Sequence, residues 1–495
     1  MAAFWILLGL LTAVAVYDVS QRHHAILRNF PLVGHLRYLL EMVGPELRQY
    51  IVTNNNEERP FSRTQRRWIY ASSKRQNNYF GFGSDNEPER SSNYLIVKHS
   101  AFPKPTPHAG EPGYDPLYSI PAAIEIGAWR GRARPFRPGS VVNVSGMSYG
   151  SISGPAIEAL NKGVKLAGSF QNTGEGGLSP YHLQGGDLML QIGTGYFGCR
   201  ELDGRFSLPR LKDIVAAHPE IRALEIKLSQ GAKPGAGGVL PREKITPEIA
   251  AIRHIDPTRD CVSPASHTAF HDADSLLDFV ELLARETGLP VGVKSAVGDM
   301  GFWHELARLA ATTGRSVDFV TIDGGEGGTG AAPLVFVDHV GLPFKLGFSR
   351  VHRAFAEQGL TRKVAFIGSG KLGLPDTALM AFVLGADMVN VAREALLAIG
   401  CIQAQRCHTN HCPTGIATQS PWLARGLDPT LKSARLANYI MTLRKDLIAL
   451  THACGKDHPT EVTADQIEIL DDRFGARTLR EAFGTHDAVQ TRRAA

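Results

Sequence analysis

Three of the six cysteines in this sequence of 495 residues fall within twelve residues, at Cys401, Cys407 and Cys412. Thiolates at this spacing repel one another unless a cation lies between them, and sulfur is a soft ligand that suits iron–sulfur clusters or zinc. Three thiolates match a cluster of three irons, whereas zinc would take a fourth ligand such as His408 or His411. The spacing fits no common zinc-finger pattern and favours a cluster; three unligated thiols are the remaining interpretation.

Glycine-rich runs are the second feature with chemical meaning. They lie at 172–177, 324–330 and 368–371, and each follows a short apolar segment. Glycine lets backbone N–H groups approach a phosphate that a side chain would hold away. The runs therefore predict a flat redox cofactor with a phosphate tail, for which FMN is our candidate.

Lysines beside these runs are candidates for contact with such a cofactor or its substrate. Lys227, Gln230 and Lys233 lie in one short stretch, and Lys294 ends another apolar segment. A lysine at such a position can neutralise a reduced flavin or hold a substrate carboxylate. The plainer interpretation of any one of them is a surface charge.

Arg253, Glu175 and Glu326 complete the candidates for chemistry. Arg253 can bind a carboxylate with two hydrogen bonds, although it can equally be an exposed helix residue. Glu175 and Glu326 lie among glycines, where folding needs no carboxylate, so each is a candidate for gating the site or transferring a proton.

Short apolar segments alternating with helical stretches must position these residues. The predicted strands are Val141–Ser145, Ser169–Asn172, Met189–Ile192, Leu224–Leu228, Val291–Ser295, Phe319–Asp323, Val364–Gly368 and Met388–Val391. Eight strands with intervening helices predict an α/β fold, a (β/α)8 TIM barrel, with a doubly wound open sheet as the alternative.

A barrel of this kind binds its ligand at the C-terminal ends of the strands, where the glycine runs fall. The last two strand ends usually hold a phosphate. The residues assigned to the flavin are Ser145, Lys227, Lys294, Gly325, Gly328, Thr329, Gly368, Ser369, Gly370, Ala392 and Arg393.

The regions outside the barrel predict an anchor, a cap and an extension. Ala2–Tyr17 is apolar except for Thr12, and we expect it to be a retained membrane helix rather than a signal peptide. Arg22, Arg28 and Arg37 follow it and place the rest of the chain in the cytoplasm. The predicted domains are 1–24 (anchor), 25–140 (cap), 141–420 (barrel) and 421–495, a C-terminal extension with helices over Leu431–Ala453 and Ala464–Phe483.

Composition narrows the class of protein. A hydrophobic fraction of 43% and a charged fraction of 20% are those of an ordinary globular protein. A net charge of +5 is mild for this length and gives no reason to expect nucleic acid as a partner. Six cysteines are too few for a disulfide framework, so we expect a reducing compartment.

Four longer motifs resemble the synthase domain of glutamate synthase, and most of all the stand-alone, membrane-anchored FMN-binding branch of that family. They are Asn-Thr-Gly-Glu-Gly-Gly at 172–177, Gln-Gly-Ala-Lys-Pro-Gly at 230–235, Gly-Gly-Thr-Gly-Ala at 327–331 and the cysteine stretch at 400–419. The likeness runs from about Val141 to Gln419.

The resemblance implies an FMN-bearing barrel with a 3Fe-4S cluster on the three cysteines. It also implies reductive amination of 2-oxoglutarate to glutamate through 2-iminoglutarate, chemistry of enzymes that act on CH–NH2 groups. On this basis Gln230, Lys233 and Glu175 are catalytic, and Arg253 and Lys233 bind the substrate.

The sequence also departs from the family. The expected glutaminase half, with its N-terminal cysteine, is missing, so ammonia would come from solution or a partner. Val239 stands where the family has a glutamine beside the substrate, and Ser369 lies in Gly-Ser-Gly where the family has Asp-Gly-Gly. No dinucleotide-binding domain is evident, so we expect a partner protein or the membrane pool to donate electrons. An FMN barrel acting on another keto acid and a non-catalytic electron-transfer subunit are the alternatives.

Overall fold

A computed structural model of the chain describes residues 1–21, 23–54, 56–79, 81–84, 86–88, 91–471 and 475–484. The chain forms two compact units, one from Met1 to Arg67 and the other from Trp68 onward. Arg22, part of the predicted basic flank, lies outside the described residues.

Helices form in both units, and a π-helical turn over Arg48–Val52 follows the third of them. In chain order they are α1 (Ala2–Ser20), α2 (Ala25–Asn29), α3 (Val33–Leu47), α4 (Arg63–Ser73), α5 (Gly154–Ala167), α6 (Leu208–Ala217), α7 (Pro247–Arg253), α8 (Ala273–Thr287), α9 (Gly301–Thr312), α10 (Leu334–His339), α11 (Phe344–Glu357), α12 (Pro375–Val383), α13 (Arg393–Ala398), α14 (Pro421–Ala424), α15 (Pro429–Ala453) and α16 (Leu479–Phe483).

The strands all belong to the second unit. They are β1 (Tyr94–Val97), β2 (Val142–Val144), β3 (Phe170–Asn172), β4 (Asp187–Ile192), β5 (Ile221–Lys227), β6 (Val239–Leu240), β7 (Cys261–Val262), β8 (Val291–Ser295), β9 (Phe319–Asp323), β10 (Ala365–Ser369), β11 (Met388–Val391), β12 (Ile467–Leu470) and β13 (Ala476–Thr478).

Eight parallel strands within the described range 91–471 close into a barrel. Their order around it is β2, β3, β4, β5, β8, β9, β10 and β11, and β11 pairs again with β2. All eight predicted strands are thus confirmed; three have the predicted bounds, and the ends of the other five differ by at most three residues. Of the five other strands, β6 and β7 form a two-stranded ribbon inserted between β5 and β8, and β1, β12 and β13 form a three-stranded sheet.

The lower half of the barrel interior is apolar. Side chains from six barrel strands pack with a plug from the segment before β2, in which Ile126 and Phe136 pair across an isolated bridge. The buried cluster is Ala122, Ile126, Phe136, Phe170, Met189, Ala223, Phe319, Ala365, Ile367 and Met388. Because strand side chains alternate, the next inward residue of each strand lies one layer closer to its C-terminal end.

The predicted helix over Ala464–Phe483 is wrong. Ile467–Leu470 is a strand that pairs antiparallel with β1 and β13, and only Leu479–Phe483 is α-helical. The Ile-Glu-Ile-Leu run suits a strand because its β-branched residues pack against β1. Residues 472–474 of the predicted helix lie outside the described part of the chain.

The first unit contains one helix that is long and apolar enough to cross a membrane. This helix, α1, has 19 residues and a mean hydropathy of 2.0, and Asp18 is its one buried residue. Asp18 accepts hydrogen bonds from Leu32 N and His35 Nε2, both at 3.0 Å. Length and composition of this kind are shared by membrane anchors and signal sequences.

Candidate functional site

A buried carboxylate, Glu225, lies at the centre of a polar layer above the apolar half of the barrel. Its oxygens accept hydrogen bonds from Asn172 Nδ2 (2.6 Å), Gln191 Nε2 (2.6 Å) and Thr321 Oγ1 (2.7 Å). Glu225 is fully buried, and three donors from three strands compensate its charge. These hydrogen bonds form a polar layer inside the barrel, below the C-terminal ends of the strands.

A layer of charged side chains lies next to this polar layer, closer to the C-terminal ends of the strands. Lys294 Nζ is 3.7 Å from Asp323 Oδ2 and donates to Ser145 Oγ at 3.3 Å. Ser145 Oγ is in turn 3.5 Å from Ser369 Oγ. Burial raises the pKa of Asp323, but the charge of Lys294 and hydrogen bonds from Gly231 N–H and the Ser369 hydroxyl outweigh it, so the pKa is lower than usual.

Lys227, the last residue of β5, links two predicted catalytic residues. Its Nζ is 2.9 Å from Glu175 Oε1 and donates to Gln230 Oε1 at 2.6 Å. Burial raises the pKa of Glu175, yet the charge and hydrogen bond of Lys227, with the charges of Arg253 and Lys233, lower it overall. Glu175 is therefore ionised at neutral pH.

Both predicted substrate-binding residues are buried near Glu175. Lys233 donates to Ala331 O at 2.9 Å, and burial, followed by the charge of Lys227, lowers its pKa. Arg253 ends α7 with 4% of its surface exposed, so the interpretation as an exposed helix residue is wrong. It donates to Tyr149 O at 2.9 Å.

The glycine-rich loops interlock at the barrel mouth. A Cβ at Gly231 would lie 1.8 Å from Gly324 O, and one at Gly328 would lie 2.5 Å from Arg393 Cδ. Gly324 N donates to Ser369 O at 2.9 Å. The glycines after β5 and β9 are thus required because these loops share the same space.

The remaining predicted flavin residues lie on those loops or beside them. Gly325 N donates to Leu342 O at 2.9 Å, and Thr329 Oγ1 donates to Ala331 O at 3.3 Å. Gly368 and Ser369 end β10, and Gly370 follows with a φ of 122°. Arg393 opens α13 directly after Ala392, and its guanidinium donates to Glu326 O.

The cysteine stretch packs against the loop that follows β2. Ser153 Oγ donates to Gly415 O at 2.7 Å, and Gln419 Nε2 donates to Gly150 O and Ile152 O, both at 3.0 Å. Lys244, 2% exposed, donates to Ser151 O (2.7 Å) and Cys407 O (3.0 Å). The loop after β2, which leads from the barrel mouth, therefore holds the cysteine stretch.

One polar side chain in the barrel interior has neither of its amide atoms paired with any described residue. Asn390 of β11 lies one layer above Met388 and beside Ser369, and only 1% of it is exposed. A buried amide without partners is costly, and the Asn390 amide presents both a donor and an acceptor to the barrel interior. With two lysines at the strand ends, this arrangement fits a flavin, whose ring carries both kinds of polar atom.

The cysteines fit a metal centre less well. Burial and the neighbouring Cys412 raise the pKa of Cys407, so these two thiols lie near each other. Among the described residues, however, no group of three or more His, Cys, Asp or Glu side chains is gathered closely enough to hold a metal ion.

Sequence reasoning missed three residues that this geometry brings into the site. Glu225 and Asp323 each carry a carboxylate inside an apolar strand, a signal that the sequence does contain. Asn390 lies in the apolar strand β11, but its lack of partners is visible only in three dimensions.

Comparison with known proteins gives one family over most of the chain. Residues 134–457 match the family described as "Conserved region in glutamate synthase". The glutamate synthase large subunit-like protein YerD of Bacillus subtilis is 38% identical over 483 residues, which cover 92% of this chain and 91% of YerD.

Two further relatives are longer than the part that aligns. The archaeal glutamate synthase (NADPH) of Methanocaldococcus jannaschii is 37% identical over 321 residues, covering 63% of this chain and 59% of that protein. The archaeal-type glutamate synthase (NADPH) of Thermotoga maritima is 38% identical over 354 residues, covering 70% of this chain and 63% of that protein. The chain thus spans about three fifths of these two relatives.

Proposed function

Because this chain belongs to the glutamate synthase family, we propose that it is an FMN-dependent oxidoreductase that reductively aminates 2-oxoglutarate to glutamate. Ammonia and 2-oxoglutarate lose water to give 2-iminoglutarate, which takes up a hydride and a proton. The observation that carries the proposal is the barrel mouth, where Lys227, Lys294 and the unpaired amide of Asn390 converge at the strand ends.

The flavin site of this proposal consists of the predicted residues at the ends of the barrel strands. Lys294 and Ser145 lie on the charged layer, and the glycines after β9 and β10 let the backbone approach the cofactor. Reduced FMN, when bound, supplies the hydride. The protein supplies orientation, charge and exclusion of water.

The chain's own residues hold the substrate and move protons. Lys233 and Arg253 are the cations for the substrate carboxylates. Ammonia enters as the free base, and Glu175, ionised with its pKa lowered by Lys227, accepts a hydrogen bond from it on a carboxylate oxygen. Lys233, whose pKa burial lowers, donates a proton from Nζ to the hydroxyl that leaves as water. Gln230 keeps Lys227 directed at Glu175.

The proposal extends to a 3Fe-4S cluster on Cys401, Cys407 and Cys412. The family resemblance and the three thiols on one stretch support it. Iron analysis of anaerobically purified protein should then give about three irons per chain. Stoichiometric zinc or a metal-free folded protein would overturn this extension while leaving the flavin proposal standing.

We also propose where the protein is located and what supplies its ammonia and electrons. The α1 helix anchors the chain, the barrel lies in the cytoplasm, ammonia comes from solution or a partner, and a partner protein or the membrane pool donates electrons. The boundaries 1–24, 25–140, 141–420 and 421–495 remain the proposed domains.

The test is a cofactor spectrum followed by an assay of turnover. Purified protein should be yellow, release FMN on denaturation, and form glutamate from ammonia and 2-oxoglutarate when dithionite is the reductant. Lys233→Ala should bind FMN normally but lose at least about 100-fold in glutamate formation. A colourless folded protein would overturn the proposal.

Val239 favours a second candidate, an FMN barrel that acts on another keto acid. Val239 pairs with Val262 in the β6–β7 ribbon, is 41% exposed, and offers no hydrogen bond where the family has a glutamine. A screen of keto acids with ammonia and dithionite separates the two candidates. Amination of another keto acid without glutamate formation would select this one.

A further inference from the structure

The helix α3 of the first unit carries an apolar stripe along one side. Its members follow one another at alternating spacings of three and four residues, which places them on one face of a helix. The stripe consists of Val33, Leu36, Leu40, Val43 and Leu47. We propose that α3 lies in the plane of the membrane surface beside α1, with this stripe inserted among the lipids.

Most side chains of the stripe are exposed. Val33 is 72% exposed, Leu36 and Leu40 are each 55% exposed, and Leu47 is 42% exposed. An exposed apolar surface that continues along a whole helix marks a site for another protein or for a membrane. The other sides of α3 and its position beside α1 decide between these two.

The other sides of α3 face the protein and water. Gly34 is buried on the side away from the stripe, where a Cβ would lie 3.0 Å from Leu27 Cδ2 of α2. Arg37 and Glu41, which lie between Gly34 and the stripe, form an exposed ion pair at 2.7 Å. A helix with a charged flank and an apolar stripe is the kind that lies at a membrane interface.

Asp18 fixes the start of α3 beside the end of α1. Its carboxylate accepts hydrogen bonds from Leu32 N, directly before α3, and from His35 in the first turn of α3. This inference rests on the proposed function, in which α1 anchors the chain in the membrane. Because Asp18 lies near the C-terminal end of α1, α3 begins where α1 leaves the apolar interior, and its stripe meets lipid there.

A bilayer suits the stripe better than a second copy of α3 does. A coiled coil is expected where the spacing continues over at least about three heptads, whereas α3 has 15 residues. Pro45 lies inside α3, and the π-helical turn over Arg48–Val52 follows it, so the regular spacing ends there. The apolar run Ala2–Tyr17 is also short of the ~20 residues that usually span a bilayer, so a second lipid contact strengthens the anchor.

The experiment places a tryptophan on α3 of the full-length protein in vesicles of phosphatidylcholine and phosphatidylglycerol. Bromine on the acyl chains quenches tryptophan fluorescence at short range, and subtracting the wild-type emission removes the native tryptophans. Leu40→Trp puts the probe on the stripe, and its added emission should fall at least about twofold in brominated vesicles. Glu41→Trp is the matched control on the charged flank, and its added emission should not change.

Unquenched emission from Leu40→Trp would overturn the inference, and so would equal quenching of both probes. If unquenched emission accompanies a dimer in detergent, the stripe belongs to a second copy of the chain. If Leu40→Trp does not fold, Leu36→Trp places the probe on the same stripe, with the same expected and contradicting results.

The anchor is tested separately by Trp5, which lies in α1. The difference in emission between the wild type and Trp5→Phe should fall in brominated vesicles. A quenched Trp5 beside an unquenched Leu40→Trp overturns the inference and leaves the anchor standing, whereas an unquenched Trp5 overturns both. Bound FMN and glutamate formation test the proposed reaction without either probe.

Discussion

Two buried amides, Asn390 and Gln171, have no hydrogen-bond partner for either polar atom in the described structure. Asn390 faces the barrel interior, whereas Gln171 alternates with the inward residues Phe170 and Asn172 and so faces outward. One buried amide without a hydrogen-bond partner therefore lies on each side of the barrel sheet. Only the inward amide is placed to meet a cofactor.

Asn390→Leu should have opposite effects on the apoprotein and on cofactor binding. Removing a buried unpaired amide should raise the free energy of unfolding of the FMN-free protein by about 1 kcal/mol. Losing the contact with the flavin should raise the Kd of FMN about tenfold. Denaturant unfolding and fluorescence titration with FMN measure the two quantities.

Gln171→Met is the matched control for this prediction. It removes an equally buried amide from the outer side of β3, so it should stabilise the apoprotein and leave the Kd of FMN unchanged. Unchanged FMN affinity in Asn390→Leu would show that the unpaired amide does not meet the flavin.

Two buried histidines make stability depend on pH. Burial lowers the pKa of His182 and of His267 to about 4 each. A histidine whose folded pKa lies below its unfolded value of about 6.5 stabilises the fold above pH 6.5, and this contribution is lost as the pH falls towards 4. Each should contribute about 3 kcal/mol to that loss.

The measurement is the free energy of unfolding of the wild type and of His182→Gln/His267→Gln at pH 7.5 and pH 4.5. The double variant should lose less stability between the two pH values. Burial raises the pKa of Asp318 to about 6, so this group acts in the opposite direction below pH 6, equally in both proteins. Equal losses would contradict the prediction.

The place of a single residue in the site could be predicted only where its position in a strand determines it. Lys227 is the last residue of β5 and Lys294 the last but one of β8, so a barrel must bring them to the same end, and they are neighbours in the register of the two strands. The hydrogen-bond donors to Glu225 come from three different strands, so the bonds that compensate its buried carboxylate could not be predicted from the sequence.

At the level of elements, the loops after β5 and β9 depend on each other. Gly231→Ala would place a Cβ 1.8 Å from Gly324 O, so one of the two loops must move. We expect a loss of several kcal/mol in stability, about 3 or more, together with loss of bound FMN. Thermal unfolding and the flavin content of the purified protein check this.

Gly330→Ala is its control, because a Cβ at Gly330 meets no atom within 4 Å. That variant should keep both the flavin and the unfolding midpoint. Retention of flavin by Gly231→Ala would mean that the two loops can separate without affecting the site.

Elements with a strong local pattern were predicted well. The barrel strands are short apolar runs buried by their neighbours, and each of the eight was found. The C-terminal sheet was not, because its central strand β12 pairs on one side with β1, some 370 residues earlier in the sequence, and on the other with the short strand β13. When a strand is stabilised by a partner far away in the sequence, the residues around it give little sign that a strand will form.

At the scale of the whole molecule, α1 should determine where the full-length chain is found. Leu8→Arg/Leu11→Arg places two charges in the apolar helix, and charges within a membrane span are strongly disfavoured. The wild type should sediment with membranes and need detergent for release, whereas the double variant should stay in the supernatant. Leu202→Arg, at a side chain that is 90% exposed in the second unit, should behave as the wild type does.

The pairing of β1 with β12 has a mechanical consequence. Tyr94 pairs with Leu470, so the chain enters β1 and leaves β12 at the same end of a four-residue antiparallel ladder. Tension applied at these two points would open the ladder one residue pair at a time, like a zipper, rather than shear all pairs together. Such a ladder resists little force, so under load it would yield first while the closed barrel stayed intact.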